Sequence, residues 1–323
     1  MLQKEVAKKS IKVYQKSKKM SSNTILFRAD SSSSIGTGHI MRDLVLAQEY
    51  SQKGYKIVFA TIDLDGNINH KIKEAGYKLK ILKNNKLKSL QKVIDKYKPK
   101  LIVIDHYDLD DKFEKDIKTK NKNLKLLAFD DTYQKHHCNI LLNHNISADP
   151  KKYKGLVPNN CKLKCGAKYT LLRDEFIKEK NKIFKPNKKF TFFVAMGGAD
   201  TSNLNIKILK VLKKFKNIKV NLVTTTANKN LKKLKKYCKD KKWIKLHINS
   251  TKIAKLIRKS DYGIITPSVT ANELYYMKLP FLAIKSAQNQ KDIYNYLVKN
   301  NYNMLKQFDK KEFKRLINKV IDG

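Results

Sequence analysis

The sequence predicts an α/β protein made of two Rossmann-like doubly wound domains that face a cleft. Short apolar runs alternate with polar or amphipathic stretches of helical length, and this pattern occurs twice along the chain. Continuous apolar runs are typical of parallel strands that are covered by helices on both faces. The 323 residues are also about twice the length of one ordinary domain.

The predicted strands fall into two groups of five. The first group is ILFRAD (25–30), KIVFAT (56–61), LIVIDH (101–106), LKLLAF (124–129) and ILLNHN (140–145), and the second is FTFFVAMGG (190–198), VNLVTTT (220–226), WIKLHI (243–248), YGIITP (262–267) and PFLAIK (280–285). We therefore expect a basic N-terminal extension (1–23), an N-terminal domain (24–175), a linker (176–189) and a C-terminal domain (190–323).

Composition and charge exclude several classes of protein. Hydrophobic residues make up 41% of the chain, which is enough for two cores. No apolar stretch has the length of a membrane span, and the first 20 residues lack the apolar region of a secretory signal. Four cysteines in a chain of this length do not indicate a disulfide scaffold. We expect a cytoplasmic protein with reduced thiols.

The formal net charge of +43 comes from 71 Lys and Arg against 28 Asp and Glu. Such an excess raises nucleic acid as a partner. Only five of the basic residues are Arg, the residue favoured for reading bases and phosphates, and the Lys are spread over the whole chain. Solvated Lys-rich helix faces explain this pattern better, so we expect no specific nucleic acid partner.

The loop after the first strand contains the most specific candidate for a functional site. In FRADSSSSIGTGH (27–39), Gly36 and Gly38 allow a close approach of the backbone to a ligand, and Asp30 can bind sugar hydroxyls. His39 stands where the next helix begins. The positive end of a helix disfavours a protonated imidazole, so His39 is expected to accept a proton from water. The alternative is a helix-terminal His in a capping role.

Polar residues also follow three other strands of the first domain. Asp105 to Tyr107 follow LIVIDH, Asp130 and Asp131 follow LKLLAF, and Asn143 and Asn145 end ILLNHN. The carboxyl ends of parallel strands meet at one edge of a sheet, where ligands bind in open α/β folds. We therefore expect these residues to contact substrate, although each one alone is more often a helix cap or a loop anchor.

The second domain repeats the arrangement with a phosphate-binding signal. Gly197 and Gly198 follow an apolar strand, and Asp200 can cap the helix after them. Exposed backbone N–H groups at such a turn suit a pyrophosphate, while an ordinary capped turn is the alternative. Ser268 and Glu273 lie around the start of a later helix, where Glu273 can accept hydrogen bonds from ribose hydroxyls. Asn289, after the last strand, completes the predicted pocket.

Arg173 lies in YTLLRDEF (169–176), just before the predicted linker. A guanidinium here can reach an anionic ligand in the cleft. The alternative is an ion pair with Asp174 or Glu175.

Metal binding and redox chemistry have little support in the sequence. His136, His137 and Cys138 are adjacent, but no second pair stands at ligand spacing. Cys161 and Cys165 have the wrong spacing for a redox pair. We expect no metal and no cofactor.

These motifs, in this order, resemble the nucleotide-sugar hydrolases of pseudaminic acid biosynthesis. The matching stretches are RADSSSSIGTGHIMRDLVLA, IDHY, FDD, LLNHN, YTLLRDEF, MGGADTSN, the helix start from Ser268 to Glu273, and NQ, from about residue 25 to 300. The resemblance implies a GT-B-like fold and metal-independent hydrolysis of UDP-2,4-diacetamido-2,4,6-trideoxy-β-L-altropyranose with inversion at the anomeric carbon. It also implies that His39 is the general base and that Arg173 and Glu273 bind the nucleotide-sugar.

The expected protein is thus a monomeric UDP-sugar hydrolase. His39 is the predicted catalytic residue; the predicted substrate-binding residues are Asp30, Gly38, Arg42, Asp105, Asn143 and Arg173, and the predicted UDP-binding residues are Gly197, Gly198, Ser268, Glu273 and Asn289. Two alternatives remain at this stage. One is a GT-B glycosyltransferase that uses a UDP-sugar donor, and the other is a basic nucleic-acid-binding protein.

Overall fold

The computed structural model describes residues 23–183 and 186–322. Apart from Asn23, the predicted basic extension lies outside the described residues. The chain divides into two compact units. Unit 1 comprises residues up to His144 together with Asp149–Cys165, and unit 2 comprises Asn145–Ala148 and the chain from Gly166 onwards.

Unit 1 is built on a parallel sheet of seven strands in the order β3-β2-β1-β4-β5-β6-β7. Its strands are β1 (Thr24–Ala29), β2 (Lys56–Ile62), β3 (Lys78–Leu82), β4 (Leu101–Asp105), β5 (Lys125–Phe129), β6 (Ile140–Asn143) and β7 (Lys162–Cys165). Its helices are α1 (Gly38–Gln52), α2 (Asn69–Glu74), α3 (Leu87–Tyr97) and α4 (Asp111–Lys120).

Alternate residues of a strand point to opposite sides of the sheet. In this sheet, apolar residues occupy both sides. Leu26 and Ile102 belong to a core that also contains Ile94 of α3 and Ile117 of α4. Phe27 of β1, on the other face, stacks on Phe59 of β2 with ring centroids 4.8 Å apart. Fully buried strands of this kind leave polar side chains to the strand ends, where the site is found.

Unit 2 repeats the design with six parallel strands in the order β10-β9-β8-β11-β12-β13. Its strands are β8 (Phe190–Ala195), β9 (Ile218–Thr224), β10 (Ile244–Ile248), β11 (Tyr262–Ile265), β12 (Phe281–Ile284) and β13 (Asn303–Leu305). Its helices are α5 (Asp174–Lys180), α6 (Leu204–Leu212), α7 (Leu231–Cys238), α8 (Ile253–Arg258), α9 (Val269–Met277), α10 (Lys291–Lys299) and α11 (Lys310–Asp322).

The prediction of two Rossmann-like parallel α/β domains is confirmed, and each of the ten predicted strands is present. Strands β3, β7 and β13, all of which are edge strands, are not predicted by the sequence. In the described part of the chain, no helix is both long enough and apolar enough to cross a membrane.

The division between the units lies earlier in the chain than the predicted boundary at residues 175–176. Helix α5 occupies part of the predicted linker, and its Phe176 is buried in the core of unit 2 beside Ile257 and Leu274. Arg258 of α8 also donates to Glu179 of α5 at 2.7 Å. These contacts make the chain from Gly166 onwards part of unit 2.

Candidate active site

The loop between β1 and α1 positions His39. Gly36 takes a φ of +85°, a conformation that favours glycine. The backbone N–H of Gly36 donates to the carbonyl of Ser32 at 2.8 Å, which closes the loop. Helix α1 then begins at Gly38, so His39 lies in its first turn, as predicted, and is only 6% exposed.

Asp105 holds the imidazole of His39. It is the last residue of β4, directly beside Ala29 in the sheet, and it is buried. Nδ1 of His39 lies 2.5 Å from Oδ1 of Asp105. Because a carboxylate accepts, Nδ1 carries the hydrogen and Nε2 keeps its lone pair in the neutral ring. Nε2 has no hydrogen-bond partner in the described part of the chain.

Arg42 keeps Asp105 ionised. One turn along α1 from His39, it donates from Nε and a terminal nitrogen to the two oxygens of Asp105 at 2.6 and 2.5 Å. Burial acts to raise the pKa of Asp105, but Arg42 and the His39 hydrogen bond outweigh it and hold that pKa well below its usual range. The other terminal nitrogen of Arg42 donates to Asp131 at 3.0 Å.

Tyr107 covers His39 from the side, a contact that no pattern in the sequence predicts. Its ring meets the imidazole edge-on, with centroids 4.8 Å apart. Its hydroxyl donates to Asp131 at 2.9 Å. Burial and the negative charge of Asp131 raise the pKa of Tyr107 above its usual range, so the hydroxyl keeps its proton at neutral pH.

Asp30 is held by hydrogen bonds from its own chain. Arg28, buried in β1, donates to both carboxylate oxygens at 2.7 Å, and the backbone N–H of Ile62 donates at 2.7 Å. Nε2 of His106 lies 3.0 Å from the carboxylate. Although burial opposes it, the His106 and Arg28 hydrogen bonds lower the pKa of Asp30 below its usual range. A fixed negative charge therefore remains at this strand end.

These side chains line a pocket of about 200 Å³ in unit 1. Its walls are Asp30, Ser34, Ile35, His39, Asp105, His106, Tyr107 and Asp108. The pocket joins the carboxyl ends of β1 and β4 to the first turn of α1. It has room for a few waters or for part of a sugar ring, with an imidazole in its wall.

Asn143 and Asp130 meet through Tyr153. The amide of Asn143 donates to the Tyr153 hydroxyl at 2.9 Å, and that hydroxyl donates to Asp130 at 2.8 Å. Together with the contacts of Arg42 to Asp105 and Asp131, this joins the ends of β4, β5 and β6, as the sequence predicted. Asn143 is buried, and its predicted contact with substrate stays a prediction.

Asp43 is a buried carboxyl one turn beyond His39 on α1. Neither of its oxygens has a hydrogen-bond partner among residues 23–183 and 186–322. Burial raises the pKa of Asp43 well above its usual range, and the charge of Asp105 raises it further. Burial thus favours the neutral form of Asp43, while the charge of Arg42 opposes this effect.

In unit 2, Arg173 pairs with Glu273. Arg173 lies just before α5 and donates to Glu273 of α9 at 3.2 Å and to Glu175 at 2.6 Å. Arg173 thus forms the ion pair with Glu175 that was one of its alternatives. It also contacts Glu273, which is a predicted UDP-binding residue. Burial raises the pKa of Glu273 to about 7, against the opposing effect of Arg173. Arg173 belongs to unit 2, not to the predicted N-terminal domain.

The turn after β8 has the predicted tight geometry. Gly197 has a φ of +75°, and a Cβ on Gly198 would lie 2.8 Å from the side chain of Thr225. Asp200 accepts from the backbone N–H groups of Leu204 and Asn205 at 2.8 and 3.0 Å, so it caps α6 as expected. Two of the N–H groups at this helix end are therefore already satisfied.

Ser268 stands immediately before α9, which carries Glu273 one turn in. Its hydroxyl lies 3.4 Å from the carbonyl of Thr266 and does not cap the helix. Asn289 lies in the 3₁₀ turn Gln288–Gln290, and its side chain is outside the described part of the structure. In that turn, Oε1 of Gln290 accepts from the backbone N–H of Ser286 at 2.8 Å.

His136 lies beside two carboxylates of its own chain. Its Nδ1 lies 2.8 Å from Glu114, and its Nε2 lies 4.0 Å from Asp130. Burial lowers the pKa of His136, but these two carboxylates outweigh it and raise the pKa to about 9. No group of three or more His, Cys, Asp or Glu side chains among the described residues is arranged to hold a metal ion.

The chain is similar to a UDP-2,4-diacetamido-2,4,6-trideoxy-β-L-altropyranose hydrolase of Campylobacter jejuni. The two are 41% identical over 278 residues, which cover 86% of this chain and 97% of the relative. An uncharacterized protein of Methanocaldococcus jannaschii is 29% identical over 84% of this chain and 57% of its own length. No family model matches the chain.

Solved structures of glycosyltransferases have a similar fold. MurG of Acinetobacter baumannii superposes with a TM-score of 0.63 at 11% identity and covers 92% of this chain and 90% of its own. The spinosyn rhamnosyltransferase SpnG gives a TM-score of 0.62 at 10% identity and covers 93% and 92%. Such identities show the fold alone, which is that of the GT-B glycosyltransferases.

Proposed function

The chain belongs to the family of UDP-2,4-diacetamido-2,4,6-trideoxy-β-L-altropyranose hydrolases, and on this basis we propose that it cleaves a UDP-linked 2,4-diacetamido-2,4,6-trideoxy sugar into the free sugar and UDP. The reaction supplies the free sugar for pseudaminic acid biosynthesis. The observation that carries the proposal is the Asp105–His39 pair, which leaves an imidazole nitrogen available in the wall of a pocket.

Water is the nucleophile in this proposal. Nε2 of His39 accepts a proton as the water oxygen bonds to the anomeric carbon, and the bond from that carbon to the UDP oxygen breaks. UDP leaves with the bonding electron pair. A single displacement of this kind inverts the anomeric configuration. General base catalysis of this type typically contributes about 10²–10⁴-fold in rate.

Asp105 acts here as a positioning residue. Its carboxylate fixes the imidazole with Nδ1 protonated, and it stabilises the imidazolium that forms when Nε2 accepts the proton. Two hydrogen bonds from Arg42 keep Asp105 ionised, so it does not compete for that proton. Asp105 also lines the pocket, so its predicted contact with substrate remains compatible with this role.

In the proposed division of labour, unit 1 binds the sugar and unit 2 binds UDP. Glu273 accepts hydrogen bonds from the ribose hydroxyls, and Arg173 partly offsets the effect of burial on the pKa of this carboxyl. The Gly197–Gly198 turn and the backbone N–H groups near Ser268 meet the pyrophosphate. The leaving UDP is stabilised by these donors and by Lys or Arg side chains, with no metal in the proposal.

The test is hydrolysis in ¹⁸O-labelled water. Purified protein is incubated with a small panel of UDP-linked diacetamido sugars, and both products are analysed by mass spectrometry. Attack at the anomeric carbon places the label on the sugar and leaves UDP unlabelled. Label in the UDP phosphate would contradict the proposal and indicate pyrophosphatase chemistry. Turnover that requires a sugar acceptor would indicate a glycosyltransferase.

A further inference from the structure

Two cysteines that are distant in sequence lie side by side in unit 1. The Sγ atoms of Cys138 and Cys161 are 3.5 Å apart, and both thiols are free. We propose that Cys138 and Cys161 form a reversible disulfide when the protein meets hydrogen peroxide. This modification site lies outside the proposed active site.

The sheet brings the two thiols together. Cys138 stands two residues before β6 and Cys161 stands directly before β7, and these strands are neighbours in the parallel sheet. The backbone N–H of Lys162 donates to the carbonyl of Asn139 at 2.9 Å, which locks this register next to both cysteines. Cys138 is one residue out of this register from Cys161, so the two are diagonal neighbours, and the 3.5 Å between their sulfur atoms shows that the side chains meet.

The two thiols differ in a way that assigns their roles. Cys138 is 1% exposed, whereas Cys161 is half-buried and accessible to a small oxidant. A hydrogen bond from the Cys138 thiol and one from the backbone N–H of Leu141 lower the pKa of Cys161, against the effect of its burial. That same bond to Cys161, together with burial, raises the pKa of Cys138. Because Cys161 is the more exposed of the two, it is the thiol that a small oxidant reaches first.

The chemistry needs only a hydroperoxide as oxidant. The Cys161 thiolate attacks one peroxide oxygen, the O–O bond breaks, and Cys161 becomes a sulfenic acid while hydroxide takes up a proton to leave as water. The Cys138 sulfur then attacks the Cys161 sulfur, and the sulfenic oxygen leaves as a second water with the Cys138 proton. Two thiols and one hydrogen peroxide thus give one disulfide and two waters.

The crosslink closes the segment from Cys138 to Cys161, which carries Asn143 and Tyr153. These two residues connect the end of β6 to Asp130. Formation of the disulfide also spares Cys161 from irreversible oxidation to sulfinic acid, because Cys138 consumes the sulfenic acid first. We expect the oxidised protein to melt at a higher temperature than the reduced protein, because the disulfide constrains the unfolded chain.

Peptide mapping of the whole chain tests the proposal. Reduced protein is treated with stoichiometric hydrogen peroxide, blocked with N-ethylmaleimide and digested with trypsin, which places the three cysteines of unit 1 on peptides 136–151, 155–162 and 165–168. We expect a linked pair of 136–151 with 155–162 that is two hydrogens lighter than the separate peptides. Dithiothreitol should release both peptides.

Variants separate this pair from general thiol oxidation. Cys165→Ser, on β7 and also half-buried, should still give the linked pair. Cys138→Ser should instead accumulate Cys161 as sulfenic and sulfinic acid. Wild-type protein in which both thiols stay reduced, or in which Cys161 overoxidises or links to Cys165, would overturn the proposal, and this readout needs no variant to fold.

Discussion

Oδ1 of Asp105 lies 2.5 Å from Nδ1 of His39, so a carboxylate at the end of β4 fixes an imidazole in the first turn of α1. The two residues are 66 positions apart in sequence and meet because β4 pairs with β1, the strand that leads into α1. Arg42, on the same helix as His39, closes the arrangement by binding the other side of Asp105.

Asp105→Asn should lower kcat with little change in UDP affinity. The amide keeps the shape of the side chain but loses the charge that stabilises the imidazolium, and we expect a loss of about 10²–10⁴-fold. Asp131→Asn is the matched control, since Asp131 shares Arg42 but does not contact His39. Equal losses in both variants would contradict a specific role for Asp105.

Glu273→Gln should weaken UDP binding by about 1.5–3 kcal/mol, the usual range for a hydrogen bond to a charged group. Because the pKa of Glu273 is raised to about 7, its carboxylate becomes protonated as the pH falls below 7. UDP affinity of the wild type should therefore decrease below pH 7, whereas that of Glu273→Gln should not follow this titration. Calorimetry across this pH range measures both effects.

Glu175→Gln serves as the control for that experiment, because Glu175 is the other carboxylate bound by Arg173. This variant should keep a pH dependence of UDP binding, shifted to lower pH because the charge of Glu175 helps to raise the pKa of Glu273. Unchanged UDP affinity in Glu273→Gln would make Glu273 only a structural partner of Arg173.

His136 should make the stability of unit 1 depend on pH. Its pKa is raised to about 9 in the folded protein, above the ordinary value of 6.5. The stabilisation is complete below pH 6.5 and is lost as the pH rises through 9, by up to about 3 kcal/mol. The melting temperature of the wild type should fall over this range more than that of His136→Gln. The neighbouring variant His137→Gln should behave like the wild type.

The sequence was most informative where residues are buried or stand at strand ends. All ten apolar runs formed strands because burial on both faces of a parallel sheet demands such runs. The strands it missed lie at sheet edges, where one side is solvated. In β3, Lys78 and Lys80 alternate with Leu79 and Ile81, and Ile81 is 53% exposed, so no continuous apolar run marks the strand.

Contacts that depend on tertiary structure could not be predicted from the sequence. His39 and Asp105 were both singled out, but no spacing rule shows that one holds the other. The pairing of Arg28 with Asp30 and the contact of Tyr107 with His39 were likewise not foreseen. The sequence predicts that Arg173 lies in the first domain, because the packing of Phe176 against unit 2 is not visible in a single sequence.

Activity should survive EDTA nearly unchanged. The proposed reaction places the charge of the leaving UDP on Lys, Arg and backbone N–H groups. Steady-state rates with and without EDTA provide the measurement. A loss restored by Mg²⁺ or Mn²⁺ would reveal a carboxylate site, with Asp130 and Asp131 as the first residues to substitute.

The most direct test of the central claim is the turnover of His39→Ala beside its affinity for UDP. His39 accepts a proton only on the way to the transition state, so kcat should fall by about 10²–10⁴-fold while the calorimetric Kd for UDP stays within about twofold. A His39→Ala enzyme that turns over at the wild-type rate would contradict the account.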